Sequence, residues 1–342
     1  MISLTAARCR GDGGRPRWPS LPGTACAVLF LLLLTPGTGS ADSRKSLQAP
    51  GFSVDGYVHV QWRYDFHRYA LPRHEFLLRR GRVEFGYLWE DKVGADMELG
   101  CDELEVTVKN AYVEYRVGKP LRFVAGFRKM PFSREELTPA SRLPAIERSA
   151  VNEVFSDYMF LGRDIGLSVE GGLFGSKLPV GYALGVFNGN GDRRFDDWDD
   201  AKQFCERVTV TPRAGLTVGF NATQRNDSLT GELVTAYGGD ASWQAGQASV
   251  EGEVLYGNAG PDRHMFGAWL AGAYRIGTFQ PGLRLERLDP DLSDLGEQET
   301  HVTLIGNWQL HPRLLLKANF IADPWSGRGW GPQFLTQAQV SF

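Results

Sequence analysis

Residues 52–64 read FSVDGYVHVQWRY, a stretch in which apolar and polar side chains alternate. The large apolar side chains occupy even positions from Phe52 to Tyr64, and most polar side chains occupy odd positions from Ser53 to Arg63. Successive side chains of a β-strand point to opposite faces, so this period of two predicts one strand with an apolar face and a polar face.

The same alternation recurs up to the last residue of the chain. It predicts sixteen strands, at 52–65, 76–89, 93–101, 104–117, 121–129, 163–173, 179–188, 204–212, 214–225, 235–244, 247–257, 264–275, 278–288, 298–309, 313–322 and 332–342. Pro281 lies inside the thirteenth of these strands, where a missing N–H is unfavourable. We therefore expect that strand to begin at Gly282 or to contain a bulge at Pro281.

The connectors between these strands alternate in length. Tight turns are expected at 90–92, 118–120, 175–178, 212–213 and 311–312, and longer links at 66–75, 130–162, 189–203, 226–234, 289–297 and 323–331. One rim of short turns and one rim of long loops is typical of a transmembrane antiparallel β-barrel. The alternative is a soluble two-sheet sandwich, but its strands are usually shorter. The sequence therefore predicts an all-β protein, an outer-membrane barrel of about 16 strands.

The first residues have the pattern of a secretion signal. A basic stretch with four arginines precedes the apolar run 25–34, and small residues follow it up to Ala41. The apolar run has ten residues and is too short to cross a bilayer as a helix. We expect a signal peptide at 1–41, cleaved near Ala41, a short segment at 42–50 and the barrel domain at 51–342.

Charge and cysteine content limit the partners. Removing residues 1–41 takes away four Arg and one Asp, which moves the formal net charge from −3 to −6. An acidic chain without a basic cluster argues against nucleic acid as a partner. Cys101 and Cys205 then remain. An exported protein can form a disulfide, but two cysteines do not make a disulfide framework, so we expect free thiols.

No motif points to a catalytic or metal site. The histidines lack paired spacing, and the chain contains neither G-x-S-x-G nor a phosphate-binding P-loop, so we expect no catalytic residues, no cofactor and no metal. The acidic stretch 192–200 offers oxygen ligands for Ca²⁺ but lacks EF-hand spacing, so calcium binding there stays open.

Several stretches, in this order, resemble the phosphate-selective porin O and P family. They are LRRGR at 78–82, NAYVEYR at 110–116, LRFVAGFRKMPFSREELT at 121–138, IERS at 146–149, NGNGD at 188–192 and RLERLDPD at 284–291. The resemblance implies a sixteen-stranded trimeric porin whose third long loop folds inward as a constriction. It also implies that arginines attract anions, and Arg79, Arg80 and Arg148 match the family's pattern.

The candidate pore residues are arginines on the polar phase of their strands, together with Arg148. They are Arg63, Arg80, Arg82, Arg116, Arg122, Arg128, Arg148, Arg207 and Arg284. Guanidinium groups stay charged and bind oxyanions through two N–H groups, which suits anion passage. Alternatively, these arginines only pair with Glu84, Asp96, Glu98, Glu114 and Glu286 on neighbouring strands.

The expected constriction, 130–162, mixes both signs of charge. Its candidate residues are Arg134, Glu135, Glu136, Arg142 and Glu147, with Arg148 and Glu153 nearby. Phosphate-selective members of the family place lysine in this loop, but this chain has no lysine between Lys129 and Lys177. We therefore expect weak to moderate anion preference without tight phosphate binding. Arg80→Ala and Arg148→Ala should each lower the anion preference, and Glu136→Lys should raise it.

The leading hypothesis is a passive outer-membrane porin. Its expected partners are outer-membrane lipid, small anions such as phosphate, two further copies in a homotrimer, and the barrel-assembly machinery through the last strand. One alternative is a barrel hydrolase, although the histidines at 59, 264, 301 and 311 are scattered over different strands. Another is a structural or adhesive barrel with a plugged lumen, which would pass no steady ion current.

Overall fold

The computed structural model describes residues 51–66, 73–173, 178–191, 197, 200–227, 230–260, 263–294, 296, 298–322 and 332–342. The predicted signal peptide at 1–41 and the segment 42–50 lie outside these ranges. Most of the acidic stretch 192–200 also lies outside them, as do parts of the connectors at 66–75 and 175–178 and the whole connector at 323–331.

Sixteen antiparallel strands within the described ranges form one closed barrel. They are β1 (Phe52–Asp65), β2 (His74–Trp89), β3 (Val93–Asp102), β4 (Glu105–Gly118), β5 (Leu121–Lys129), β6 (Arg163–Leu173), β7 (Val180–Phe187), β8 (Gln203–Arg213), β9 (Leu216–Asn226), β10 (Leu233–Ala245), β11 (Ala248–Asn258), β12 (His264–Tyr274), β13 (Phe279–Asp289), β14 (Glu299–His311), β15 (Leu314–Ala322) and β16 (Gln333–Ser341). No predicted strand end differs from the observed one by more than two residues, so the all-β barrel prediction is confirmed.

Each strand pairs with its neighbours along the chain, and β1 pairs with β16 to close the barrel. The two faces differ as the alternation predicts. In β13, Arg284 and Glu286 point inward and are buried, whereas Leu283 and Leu285 point outward and are exposed. An apolar outer face and a polar inner face are what a membrane barrel requires.

Aromatic residues lie on the outer face beside the short turns. Trp89 ends β2, and Trp243 and Trp308 lie near the ends of β10 and β14; all three are exposed. Aromatic side chains are favoured at the boundary between hydrocarbon and water, so this row marks one edge of the membrane-facing band.

Two details of the sequence-based map are wrong. The long-loop rim contains one tight hairpin, because Asp102 pairs with Glu105 and only two residues connect β3 to β4. Both connecting residues have positive φ, 51° at Glu103 and 72° at Leu104, as a two-residue type I′ turn requires. The strands predicted at 93–101 and 104–117 already leave only two residues between them, so the sequence places this turn to within one residue; the error is the expected alternation of short and long connectors.

The second error concerns Pro281, which lies within β13 rather than before it. Pro281 pairs with Gly306 of β14, whereas the ladder to β12 ends at Gly282. A proline is tolerated there because only one neighbouring strand is present at that level.

The helices of the described residues are short. None of them is long and apolar enough to cross a membrane.

Candidate pore constriction

The segment 130–162 between β5 and β6 contains two short helices, α1 (Arg134–Leu137) and α2 (Ala150–Asp157), and a 3₁₀ turn at Ala140–Arg142. A serine precedes each α-helix. Ser133 Oγ accepts a hydrogen bond from the N–H of Glu136 (3.2 Å), and Ser149 Oγ accepts one from the N–H of Asn152 (3.1 Å). Serine at this position satisfies N–H groups that the helix itself cannot pair, so local sequence sets where both helices begin.

The segment lies inside the barrel, with an apolar side against the inner wall of β10–β13. Phe132, Val151, Phe155, Phe160 and Leu161 form one buried cluster with Val234, Ala236, Leu255, Met265, Trp269, Ala271 and Leu288 of the wall. The inner wall is therefore apolar where the segment covers it. This placement agrees with the prediction of an inward-folded loop, although only one long connector precedes it because the β3–β4 connection is tight.

Glycine on the wall permits the close approach of α2. A Cβ atom added at Gly267 of β12 would lie 2.4 Å from Cγ1 of Val151. That distance is far below van der Waals contact, so only glycine leaves room for the helix at this position.

The other side of the segment follows β14–β16 and is held through its backbone. Gln339 donates to the carbonyl of Ser141 (3.2 Å), Lys317 to that of Leu143 (2.6 Å) and Asn307 to that of Pro144 (3.0 Å). The N–H of Ile146 donates to Asn319 Oδ1 (2.7 Å). Inward polar side chains of these strands thus replace the water that the loop backbone would otherwise bind.

A β-bulge brings two neighbouring arginines to the segment. His59 pairs with Arg80 and Val60 with Leu78, so Arg79 has no partner of its own on β1. Arg79 Nε lies 2.9 Å from Glu147 Oε1, and Arg80 Nη2 lies 2.6 Å from Glu147 Oε2. The extra residue of a bulge breaks the alternation of faces, and here both side chains reach the lumen.

Glu136 is bound by two cations in a similar way. Its carboxylate lies 3.4 Å from Lys129 Nζ and 3.2 Å from Arg148 Nε. The Arg148 guanidinium also donates to the carbonyls of Glu136 (3.2 Å) and Thr138 (3.0 Å). Arg148 therefore supports the end of α1, in addition to adding charge near the lumen.

These two loop glutamates are ionised. Burial by itself would raise both pKa values, but Arg80 and Arg79 lower the pKa of Glu147 to about 2. Lys129 and Arg148 likewise hold the pKa of Glu136 below its ordinary value. Each carboxylate is therefore shared by two basic side chains.

Most of the predicted arginine column is paired on the wall. The ion pairs are Arg63–Glu75, Arg82–Glu98 and Arg82–Asp102, Arg116–Glu114, Arg122–Glu114 and Arg122–Glu170, Arg128–Glu170, Arg207–Asp240, and Arg284–Glu286 and Arg284–Glu135. Arg134 of the segment pairs with Glu251 of β11 (3.0 Å). The alternative considered from the sequence, pairing across neighbouring strands, therefore describes much of this column.

A cavity of about 750 Å³ lies beside the segment, on the side of the short turns. Its charged lining is mainly basic: Arg80, Arg82, Lys129, Arg142, Arg148, Arg163 and Arg313 against the carboxylates of Asp55, Glu84 and Glu98. Arg142 is exposed there and makes no ion pair within the described ranges.

Sequence reasoning did not select Lys129 and Arg163. They are the last residue of β5 and the first of β6, and they pair directly across the two strands. Their position on either side of the inserted segment is a signal that could have identified them.

Family comparison agrees with this architecture. The family model for phosphate-selective porin O and P matches residues 52–235, more than half of the chain. The chain belongs to this family. It is therefore an outer-membrane porin, a channel whose lumen is narrowed by side chains and an inserted segment.

Solved structures share the porin's fold at low sequence identity. The anion-selective porin from Comamonas acidovorans is 13% identical with a TM-score of 0.60, over 85% of this chain and 99% of that one. OmpT of Vibrio cholerae is 11% identical with a TM-score of 0.61, over 87% and 100%. A mutant of the Rh. blastica porin is 12% identical with a TM-score of 0.56, over 85% and 100%. No match was found among curated proteins.

Among the described residues, Cys101 on β3 and Cys205 on β8 are buried cysteines that form no disulfide with each other. Among the described residues, no group of three or more His, Cys, Asp or Glu side chains is arranged to hold a metal ion. The acidic stretch 192–200, where the sequence leaves calcium binding open, lies mostly outside the described ranges.

Proposed function

We propose that this porin is a passive channel with weak to moderate preference for small anions. The observation that supports it is the basic lining of the cavity beside the constriction, with seven cationic and three carboxylate side chains. In a narrow lumen with low-dielectric walls, such an excess acts strongly on permeating ions, because screening needs room for counter-ions.

The same contacts argue against tight phosphate binding. The arginines that match the family pattern are already paired: Arg79 and Arg80 bind Glu147, and Arg148 binds Glu136. Tight recognition of phosphate needs guanidinium or ammonium groups that are free to donate. Phosphate would therefore pass as one small anion among others.

Reversal potentials of single channels in a KCl gradient test this proposal. We expect a potential of the sign that marks chloride as the more permeant ion, and little block by millimolar phosphate. A cation-selective channel would contradict the proposed preference, and a barrel without steady current would favour the plugged-lumen alternative.

Further parts of the proposal concern assembly. We propose that a signal peptide is removed near Ala41, that the mature chain forms a homotrimer in outer-membrane lipid, and that β16 is read by the barrel-assembly machinery. We also propose that the porin has no enzymatic activity. Chemical cross-linking of the purified porin, with heat-modifiable migration on gels, tests the trimer; a monomer at all cross-linker concentrations would contradict it.

A further inference from the structure

Glu253 of β11 binds the beginning of α1. Its Oε1 accepts a hydrogen bond from the N–H of Arg134 (2.8 Å), and its Oε2 accepts one from Ser133 Oγ (2.9 Å). The N–H of Glu135 lies 3.4 Å from the same Oε2. Only 2% of Glu253 is exposed, so this wall carboxylate is fully committed to the segment.

Glu286 of β13 and Glu135 of the segment bind the beginning of α2. The N–H of Ala150 donates to Glu286 Oε2 (2.8 Å), and the N–H of Ser149 donates to Glu135 Oε1 (3.0 Å). Arg284 lies between the two carboxylates, 2.7 Å from Glu286 and 3.5 Å from Glu135. Arg284 also donates to the carbonyl of Glu147 (2.8 Å).

The charges at these contacts do not balance. Three buried carboxylates face one guanidinium, because Arg284 serves both Glu135 and Glu286 and no cation described lies within ion-pair distance of Glu253. The remaining charges facing the cluster are mostly acidic or already paired: Glu251 with Arg134, Asp240 with Arg207, and Glu153 on α2. His301 of β14 lies opposite Glu286 in the strand register, and its Nε2 lies 3.3 Å from Glu299 Oε2. Glu135 and Glu286 share the single Arg284 guanidinium and repel each other in a poorly hydrated space, and one proton would relieve that repulsion.

We propose that Glu135, Glu253 and Glu286 form a proton-sensitive latch that positions the constriction segment, binding it to the barrel wall more firmly as the pH falls from about 8.5 to 5.5. The proposal deepens the proposed function, since it rests on the segment narrowing the channel.

The direction in which docking changes with pH follows from proton linkage at Glu135. Burial, opposed by Arg284 and Ser149, raises the pKa of the docked Glu135 carboxyl to about 7. A released and hydrated Glu135 would have the ordinary pKa of 4.5. The docked segment therefore binds the proton more tightly, so docking is strongest below pH 4.5 as far as this group is concerned and weakens as the pH rises through 7.

Amide hydrogen exchange of residues 149–152 in detergent-solubilised porin measures the latch directly. After correction for intrinsic rates, we expect opening of this region to be about thirtyfold more frequent at pH 8.5 than at pH 5.5, as the docked and released pKa values of Glu135 require. In Glu135→Gln, which cannot titrate, this difference should be lost. In Glu147→Gln, the matched control on the same segment, it should remain because that carboxylate does not titrate in this range.

His301, Lys129 and Lys317 are the competing titratable groups, because the two lysines bind the segment at Glu136 and at the carbonyl of Leu143. His301→Gln, Lys129→Gln and Lys317→Gln are therefore part of the experiment. A pH dependence that disappears in one of these three variants but persists in Glu135→Gln would overturn the proposal, as would wild-type exchange that does not depend on pH. If Glu135→Gln does not assemble, Glu286→Gln serves instead. Removing that neighbouring charge should lower the pH at which the change occurs, and an unchanged midpoint would contradict the latch.

Single-channel recordings over the same pH range separate this proposal from the proposed function. If the latch works and the segment narrows the channel, open-channel fluctuations should rise together with exchange at high pH. Exchange that depends on pH with an unaltered current would preserve the latch and show instead that the segment does not limit conduction.

Discussion

Arg142 is the exposed cation of the inserted segment, and its charge is the one we expect to act most directly on permeating anions. Arg142→Gln should lower the anion-to-cation permeability ratio by about twofold, the effect of one charge several ångströms from an ion in screened water. Reversal potentials in a KCl gradient measure the change.

Arg287→Gln is the matched control, because Arg287 is exposed on the outer face of β13 and binds Thr300 (2.8 Å). It should leave the ratio unaltered. Equal effects of the two substitutions would show that overall charge, rather than the position of Arg142, sets selectivity.

Glu147 is the single anion between Arg79 and Arg80, so its removal should have the opposite effect. We expect Glu147→Gln to raise the anion-to-cation ratio, and the difference from the wild type to stay constant between pH 8 and 4. The reason is that the pKa of Glu147 is about 2, so the contribution of its ion pairs is complete above the ordinary pKa of 4.5 and is lost only as the pH falls toward 2. Reversal potentials at several pH values test this; a difference that vanishes by pH 5 would contradict the assignment.

The structure also changes the choice of substitution at Glu136. From the sequence, Glu136→Lys was expected to increase anion preference. Because Glu136 lies between Lys129 and Arg148, a lysine there would place three cations together in a buried site and disturb the segment itself. Glu147→Gln changes charge without adding a buried cation and is the cleaner experiment.

At the scale of elements, α2 is held mainly by its apolar side. Phe155 is fully buried against the wall, in contact with Phe160 at a ring distance of 5.7 Å. Phe155→Ala should weaken docking of the segment by about 3 kcal/mol, the usual loss for a buried phenylalanine. Single-channel recordings should then show a larger or more variable conductance while the barrel still migrates as a folded, heat-modifiable species.

Phe220→Ala provides the control for the loss of an aromatic ring. Phe220 is 62% exposed on the outer face of β9, where no segment docks. The single-channel conductance of the Phe220→Ala porin should match that of the wild type. If both variants behave alike, the apolar contact of α2 does not determine the width of the channel.

The bulge in β2 shows the limit of reading faces from the alternation. A strict period of two places Arg80 toward the lumen and Arg79 toward lipid, yet both bind Glu147. A bulge adds one residue to one strand only, so it is visible in the pairing of two strands and not in the pattern of one.

For the whole molecule, the inserted segment should control the current. Excising residues 139–145 removes the 3₁₀ turn and the carbonyls that bind Gln339, Lys317 and Asn307. We expect a larger single-channel conductance from the shortened porin. Removing residues 292–294 from the rim connector between β13 and β14 is the control and should leave conductance unchanged; an equal response would place the narrowest point elsewhere.

The amino-acid sequence by itself determined the barrel: sixteen strands, their ends to within two residues, the apolar and polar faces, and the one connector long enough to enter the lumen. These features depend on neighbours along the chain, since side chains alternate locally and long connectors interrupt the alternation. The serines that precede α1 and α2 are equally local.

Only the tertiary structure decided which charges face the permeating ion. Arg80 meets Glu147 and Arg284 meets Glu135 across 67 and 149 residues of chain, and closure of the barrel brings each pair together. Electrostatic pairing depends on distance in space, and no period along one strand encodes it. The apolar inner wall of β10–β13 is likewise explained only by the tertiary structure, because the segment packs on it.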